Sequence, residues 1–481
     1  MSDEHGLVGL LYRADWTRLR MSAEVSDGST VLVAPGRRYR YQSAEFVTGC
    51  DGGRPWELEA EDEDPDGSVH WISGPEAPLR RMLCPAWMLE DSELQVLGRV
   101  RACGRDALDV AMTRRPRGRR GPEPSDDRPA PVRVLVDAEL GILLRIAEPH
   151  GSEETQVTEL VTADFDPVID PDLFRPPPGS RIAEGIGEAL GGSFGPAWWA
   201  AKTAGGLAAG ALAAWIRYSP FRRRQPPYDG MDLEAAIPPD DPPPELSADG
   251  VPDGPPVSDE LLDLLHTGGS YEFAATLHEW VGLGALASSV PAAARRAGFG
   301  GLGLLMDAIA EQPATGHLTS RIRFAGQARY QIDREYQPPR GPLTIARDGD
   351  RWWQVYSDKI VTGPAKLPHG DMSSGIRELA DPSWLLQCRL SGGSTVHVGS
   401  RRAYRINAAR GRGFKSFAMM FPAAVAVVDA DLGVVWRLTS YIGARPVQRQ
   451  ELRDLTTDVG DFQVALPDNL PTVEETRPFP F

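Results

Sequence analysis

The chain has 481 residues, of which 41% are hydrophobic, and a formal net charge of −16 at pH 7. This length is enough for about two to four domains with ordinary globular cores. The acidic balance lacks the basic footprint with which proteins bind phosphate backbones, so it excludes a general nucleic-acid binder.

The N-terminal segment MSDEHGLVGLLYRADW has no basic region and no apolar run long enough for a signal peptide. It also lacks a lipobox-style cysteine. We therefore expect a cytoplasmic protein.

The sequence of residues 20–180 has a pattern that is typical of antiparallel strands. The runs TRLRMSAEV, STVLVAP and RRYRYQS alternate apolar and polar residues, and ALDVAM, VRVLVDAELGILLRIAEP and ETQVTELVTADF continue the pattern. The DGGR segment at Asp51 predicts a tight turn, because Asp-Gly tolerates positive backbone dihedrals. The run APLRRMLCPAWML looks helical, with Pro85 interrupting the helix. One antiparallel sheet packed against a helical segment fits this order.

A basic stretch, TRRPRGRRG, begins at Thr113 between two of these strand-like runs. We interpret it as an exposed hairpin loop. Its charge suits contact with anionic lipid or with another acidic partner.

The four cysteines are Cys50, Cys84, Cys103 and Cys388. None forms a CxxC pair, and none lies at metal-ligand spacing from a histidine. We expect buried thiols and neither a metal nor another cofactor.

Residues 182–218 are rich in alanine and glycine, and the GxxxG spacing of Gly206 and Gly210 permits close helix packing. The run is about as long as the ~20 apolar residues that span a bilayer, and three arginines follow at 222–224. Lys202 and the alanine content favour instead a helix on a membrane surface, through residues 194–217, or one packed on the protein. These alternatives stay open.

The rest of the middle region changes character twice. Residues 219–257 carry so many prolines and acidic residues that a disordered linker is predicted. Residues 258–312 return to helical patterning, from DELLDLL through LHEWVGLGAL to GLGLLMDAI, and are predicted to be a helical segment.

The second half of the chain repeats the first. DGGRPWEL at Asp51 matches DGDRWWQV at Asp348, and LRRMLCPAWML matches IRELADPSWLL at the same offset. GRDALDV and SRRAYRI follow, and then VDAELGILLR and VDADLGVVWR, in the same order. Ordered matches with nearly constant spacing indicate an internal duplication. We expect the two copies at 1–181 and 313–481.

Each copy resembles the LolA-like lipoprotein-carrier superfamily, which includes RseB-type regulators and LppX-like lipid-binding lipoproteins. The resemblance rests on VLVAPGRRYRYQ at Val31, on the DGGRPWEL hairpin, on VDAELGILLRI at Val136 and on FDPVIDPDLFRPPPG at Phe165. DFQVALPDN at Asp461 is a weaker version of the last segment. The resemblance covers both repeats and none of the middle region.

This resemblance implies an α+β protein with two tandem, curved antiparallel half-barrel sheets, joined by a helical and proline-rich disordered middle. Helical plugs would cover the concave faces, and an apolar ligand would bind between sheet and plug. Trp87 and Trp384, equivalent on the proline-interrupted helices, are the leading plug candidates. Each candidate is also a plausible core residue, because an aromatic in a strand is more often core than binding site. The candidate lining residues are Trp56, Trp87, Met88, Ile142 and Leu144 in the first copy, and Trp353, Trp384, Leu385, Val434 and Trp436 in the second.

The sequence departs from the family in two respects. The family's carriers are exported, whereas no export signal is seen here. The arginine thought to control opening in the carriers could lie at Arg40 or Arg80, and the sequence does not choose between them.

No catalytic constellation accompanies the histidines. His150, His278, His317 and His369 have no paired carboxylates or nucleophile elbow nearby in the sequence. GFGGLG at Gly298 lies between helical runs and lacks a lysine, so it does not predict a phosphate loop. We expect a protein that is not an enzyme.

Two functions remain open. The first is non-enzymatic binding of a lipid or acyl chain, as carrier or sensor, which predicts a continuous apolar cavity in at least one copy. The second is a regulatory or scaffolding protein whose filled half-barrels form a docking platform for a protein partner. In a third arrangement, one copy binds ligand and the other is a scaffold.

Overall fold

The computed structural model describes residues 3–36, 38–44, 46–52, 55–59, 81–90, 92–114, 131–150, 154–182, 242–247, 250–268, 272–282, 315–325, 329–334, 343–349, 351–364, 374–409, 422–459, 464 and 466–474. The chain divides into two compact units. The first unit comprises Met1–Arg115 with Pro124–Ser193, and the second comprises Pro116–Glu123 with Phe194–Phe481.

The first unit is an open sheet of 11 strands, in the order β11-β5-β4-β3-β2-β1-β10-β9-β8-β7-β6. Its strands are β1 Met21–Val25, β2 Thr30–Ala34, β3 Arg38–Gln42, β4 Phe46–Asp51, β5 Pro55–Glu59, β6 Ser92–Ala102, β7 Arg105–Arg114, β8 Val132–Asp137, β9 Leu143–His150, β10 Glu154–Phe165 and β11 Arg181–Ile182. Its helices are α1 Asp3–Arg13 and the 3-10 helices η1 Trp16–Arg18, η2 Pro85–Leu89 and η3 Pro171–Phe174.

The second unit is an open sheet of 12 strands, in the order β18-β19-β20-β21-β22-β12-β13-β14-β15-β16-β17-β23. Its strands are β12 Phe273–Gly282, β13 Thr315–Phe324, β14 Arg329–Arg334, β15 Leu343–Asp348, β16 Arg351–Val355, β17 Ile360–Pro364, β18 Arg389–Val398, β19 Arg401–Ala409, β20 Ala423–Asp429, β21 Val435–Ile442, β22 Arg445–Thr456 and β23 Thr472–Glu474. Its helices are α2 Asp259–Thr267, α3 Ser374–Ala380 and the 3-10 helix η4 Pro382–Gln387.

The two sheets share one connectivity. The run β5-β4-β3-β2-β1-β10-β9-β8-β7-β6 of the first sheet has the same order as β16-β15-β14-β13-β12-β22-β21-β20-β19-β18 of the second. Neighbouring strands are antiparallel, apart from the added β17–β23 pair. Two large antiparallel sheets with few helices confirm the predicted fold class.

The first sheet curls strongly. The thiol of Cys103, in the β6–β7 turn, lies 2.8 Å from the backbone oxygen of Leu160 on β10. Strands β7 and β10 are three intervals apart in the sheet, which is roughly 14 Å in a flat sheet. The guanidinium of Arg105 also lies 4.7 Å from the ring centroid of Phe165. These contacts require the sheet to bend toward itself.

One predicted helix is a strand. Residues 273–282, inside the segment predicted to be helical, form β12 and pair with β13 on one side and β22 on the other. Leu277, Trp280 and Val281 have a spacing that also fits one face of a helix, so the periodicity was ambiguous. Pairing on both sides satisfies the backbone hydrogen-bonding groups of β12, so this segment forms a strand rather than a helix. The second copy therefore starts well before residue 313.

Part of the predicted disordered linker is packed on the second sheet. Pro255 O accepts a hydrogen bond of 2.8 Å from the amide of Gly392 on β18. Asp253 O accepts one of 2.9 Å from the hydroxyl of Ser391. For residues 250–257 the prediction of a disordered linker is wrong, because backbone carbonyls beside proline find donors on this edge strand.

In the parts of the chain described above, no helix is long and apolar enough to cross a membrane. Residues 183–241, with the alanine- and tryptophan-rich run, lie outside the described residues, as do Arg80, His369 and Gly298. The basic stretch at Thr113 joins the paired strands β7 and β8, as predicted for a hairpin, but residues 115–130 are also outside.

Candidate ligand-binding interior

One face of the first sheet is apolar and buried across four strands. Met21 pairs with Val33, Val33 with Tyr39, and Tyr39 with Cys50, so these side chains form one row. Each is at most 8% exposed. Their neighbours along β1 and β3 are more exposed, which gives a sheet with one interior face.

A short helical cover, the first plug, consists of α1 and residues 81–89. Helix α1 packs on η2 and on β6. Leu7, Leu11, Met88 and Leu89 are at most 2% exposed. The first plug therefore contributes apolar side chains from two separate parts of the sequence to the interior of the unit.

An ion pair ties the first plug to the sheet. Arg81 donates two hydrogen bonds to Glu148 on β9, at 2.8 and 2.6 Å. These bonds lower the pKa of the Glu148 carboxyl below its usual value, against the opposing effect of partial burial. The guanidinium of Arg81 also lies 4.3 Å from the ring centroid of Trp87, whose indole N–H donates to Arg81 O at 2.9 Å. Trp87 is half-buried at the margin of the plug.

The second plug consists of α2, α3 and η4. Helix α2 packs on η4, and α3 packs on β21. Every residue of Pro382–Gln387 is buried. The indole of Trp384 donates to Glu378 O at 2.8 Å, the same bond that Trp87 makes in the first unit. Trp384 is only 5% exposed, so the second plug is the more closed of the two.

In each unit, a glycine in the repeated turn allows the first helix, α1 or α2, to lie close to that turn. A side chain at Gly141 would place its Cβ 2.3 Å from Leu10 O of α1. In the second unit, a Cβ at Gly433 would lie 2.9 Å from the Cα of Gly268 and 3.2 Å from Leu264 O, at the end of α2. Helix α2 is thus the counterpart of α1, and both copies begin with a helix that the sequence comparison did not include.

The repeated turns VDAELG and VDADLG are both locked by arginine. Arg401 donates to Asp429 at 2.7 and 3.1 Å, and Arg105 binds Asp137 in the same two-bond manner. Burial alone would raise the pKa of Asp429, but hydrogen bonds from Arg401, the amide of Leu432 and the indole of Trp436 lower it below its usual value.

Several solved structures are similar to this chain. Among solved structures, LprF from Mycobacterium bovis is 8% identical with a TM-score of 0.27, and the match covers 45% of this chain and 100% of that chain. A LolA superfamily protein from Nitrosomonas europaea is 7% identical with a TM-score of 0.20, covering 43% and 94%. The chain is similar to LolA superfamily proteins.

A two-protein complex is also among the similar structures. The complex of MucA and MucB from Pseudomonas aeruginosa matches at 8% identity and a TM-score of 0.25, covering 94% of this chain and 95% of that chain. No family model matches the chain. No curated protein matches its sequence.

The structure gathers most of the predicted lining residues at two places in each unit. Trp87, Met88, Trp384 and Leu385 lie in the plugs, whereas Ile142, Leu144, Val434 and Trp436 flank the repeated turns VDAELG and VDADLG. The buried members are Trp56, Met88, Ile142, Leu144, Trp384, Leu385, Val434 and Trp436, each at most 7% exposed. Trp436 is held at its turn, where its indole donates to Asp429 at 2.8 Å. Their role in binding a ligand stays a prediction.

Trp56 lies on the opposite face of the first sheet from the apolar row. It pairs with Gly49, whereas the adjacent Cys50 belongs to the row that contains Tyr39. Its ring covers Gly49, where a Cβ would lie 2.3 Å away. The indole of Trp56 donates to Phe174 O of η3 at 2.9 Å, so η3 covers Trp56.

In the second unit the predicted Trp353 is the counterpart of Trp56 and is half-buried. Its neighbour Trp352 is 6% exposed and shares a row with Arg347 and Tyr330, the counterparts of Cys50 and Tyr39. Trp352 is therefore the tryptophan on the interior face. Alternation in the sequence shows that the two tryptophans point to opposite faces, but only the strand pairing shows which face is interior.

The structure also shows the contacts of two polar features that the sequence analysis considered. Arg40 donates to Leu173 O of η3 at 3.2 Å. The lone histidines His278 and His317 are in contact, with Nδ1 of the first 3.1 Å from Nε2 of the second. Their separation of 39 residues left no local motif for the sequence to show.

Proposed function

We propose that the chain is a non-enzymatic binding protein whose first unit holds a lipid or acyl chain between the sheet and the first plug. The observation that carries the proposal is the construction of this plug. Its apolar side chains are buried where α1 and η2 pack on each other and on β6. Among the described residues, its ion pair with β9 is the half-exposed Arg81–Glu148 pair at the margin. Exposed ion pairs contribute about 1 kcal/mol or less, so this ion pair by itself resists movement of the plug only weakly.

The difference between the copies supports a carrier or sensor with one ligand site. Trp87 is half-buried, whereas its equivalent Trp384 is 5% exposed. In the second unit all seven residues of β20 are buried, on both faces of the sheet. A strand covered on both faces is typical of a packed core, which suits a scaffold role for the second unit.

The second candidate function is docking of a protein partner on the second unit. It is favoured by the way residues 250–257 lie on β18, through Pro255 O and Asp253 O. This edge already accepts an extended, proline-containing segment, which is a common mode of peptide recognition. In this alternative both interiors are filled and no apolar ligand is needed.

The test is native mass spectrometry with organic extraction of the full chain, purified without detergent. We expect a co-purifying apolar molecule in the wild-type protein and its loss in Trp87→Glu. Val168→Glu is the matched control, because Val168 is fully exposed in the same unit. Trp384→Glu tests the second unit separately. Equal urea midpoints identify the variants that remain folded.

A ligand-free mass, with no uptake of added fatty acid or phospholipid, would contradict lipid binding and leave the docking function in front. Loss of the ligand in Val168→Glu as well would mean that added charge alone, rather than the plug, causes the effect. Loss in Trp384→Glu but not in Trp87→Glu would move the site to the second unit.

A further inference from the structure

The contact between His278 and His317 is a feature of the second sheet that the proposed function does not use. The two ring nitrogens are 3.1 Å apart, a hydrogen-bond distance. One neutral ring must therefore donate its N–H while the other accepts. Trp280 completes a parallel stack, with its centroid 4.6 Å from that of His317 and 5.6 Å from that of His278.

This stack lies on a part of the hairpin that the first unit's described strands lack. In the first sheet β1 ends at Val25, paired with Leu160. In the second sheet the strands continue past the equivalent pair of Leu277 and Leu452, and β12 runs on to Gly282. The histidine pair is therefore an addition to the second copy rather than part of the repeated core.

Charged groups surround the stack on the β22 side. Glu451 pairs with His278 in register, and Arg449 pairs with Trp280. Both Arg449 and Arg453 bind Glu451 and place their guanidinium groups 5.5 and 5.8 Å from the Trp280 ring centroid. The carboxylate of Glu451 is thus already shared by two cations.

On the β13 side, His278 faces Thr319 in register, and His317 faces Trp280. Asp454, two residues beyond Leu452 on β22, is the second acid whose field reaches His278. The acids Glu451, which two arginines also bind, and Asp454 therefore raise the pKa of His278. Arg453 and the neighbouring His317 ring lower it.

We propose that His278 and His317 form a proton-operated clamp that holds the outer part of the β12–β13 hairpin. When one ring donates its N–H and the other ring accepts it, the two rings stay in contact and hold β12 and β13 together. When both rings are protonated, both facing nitrogens carry N–H groups, so the hydrogen bond is lost. Two like charges then face each other at about the same separation, and the outer hairpin separates from the stack.

The electrostatic surroundings set the direction of the response. Burial, followed by Arg453 and His317, lowers the pKa of His278, while Glu451 and Asp454 oppose the shift. A neutral His278 is therefore favoured in the folded state at neutral pH. The clamp opens below the usual histidine pKa of about 6.5.

Hydrogen exchange of the full chain at about pH 7.5 and about pH 5 tests the clamp. Protection factors, corrected for intrinsic exchange, should fall about tenfold or more at residues 277–281 and 316–320 on acidification. The amides of β20 and β21 should keep their protection. In His317→Gln, only one ring of the pair can still be protonated, so the loss of protection on acidification should disappear. His397→Gln, at an exposed histidine on β18, should behave as the wild type.

Unchanged wild-type protection at the two pH values would overturn the clamp, as would an equal pH effect in His317→Gln. Should that variant misfold, the ring nitrogens of the wild-type histidines can be titrated by NMR. Titration of His278 below its usual range, coupled to its neighbouring ring, is expected. Independent titration of every histidine at its usual pKa would contradict the proposal.

Discussion

Arg401 donates two hydrogen bonds to Asp429, from Nε at 2.7 Å and from Nη2 at 3.1 Å. Asp429 also accepts hydrogen bonds from the backbone amides of Asp431 and Leu432, at 2.9 and 2.8 Å. One fully buried carboxylate therefore holds the β20–β21 turn and the start of β19 together. The same arrangement around Asp137 shows that the two copies share an internal lock as well as a strand order.

Removing the arginine should destabilise the second unit. In Arg401→Gln the buried Asp429 keeps its amide partners but loses its charged donor. We expect the free energy of unfolding to fall by about 2 kcal/mol, measured by urea denaturation. Arg402→Gln, at an exposed position on the same strand, is the matched control. Equal midpoints for the two variants would contradict the role of the lock.

The same carboxylate predicts a pH dependence of stability. Hydrogen bonding lowers the pKa of Asp429 below its ordinary value of 3.8. Its stabilising contribution is therefore fully present above that value and is lost as the pH falls through the lower, folded-state pKa. We expect the urea midpoint of the wild type to fall more steeply on acidification than that of Asp429→Asn. Parallel pH profiles would show that Asp429 titrates alike in both states.

The glycine under α1 should be irreplaceable. Gly141→Ala combines a φ of +71° with a Cβ 2.3 Å from Leu10 O. Gly104 has nearly the same φ, +74°, but open space around its Cβ. Gly104→Ala therefore measures backbone strain alone, about 1–2 kcal/mol. We expect Gly141→Ala to lose clearly more stability in thermal unfolding. Equal losses would mean that α1 can move away from the turn at little cost.

Weakening the ion pair of the first plug should speed ligand exchange. Arg81→Met removes both hydrogen bonds to Glu148 and retains an apolar side chain over Trp87. We expect faster uptake and release of a fluorescent fatty acid, with a small change in stability because the pair is partly exposed. Arg133→Met, which removes an exposed ion pair of the same sheet, is the control. Unchanged exchange rates in Arg81→Met would mean that the plug does not control access.

The sequence predicted the repeated features that lie in continuous segments. VDAELG and VDADLG form equivalent turns, and the proline-interrupted segments form equivalent plugs with Trp87 and Trp384 bonded alike. Features that depend on strand pairing could not be read in this way. The interior position of Trp352 follows from its row with Arg347, and the contact of His278 with His317 follows from the pairing of β12 with β13. No local pattern specifies such partners.

The most direct test of the apolar interior is photolabelling of the full chain with a diazirine fatty acid, followed by peptide mapping. We predict labels on the first plug, at residues 81–89, and on the apolar row of the sheet that includes Val33 and Tyr39. Labelling should be competed by unlabelled fatty acid and lost in Trp87→Glu. Labels confined to other parts of the chain, or labelling that unlabelled fatty acid does not reduce, would contradict a ligand site between the first sheet and its plug.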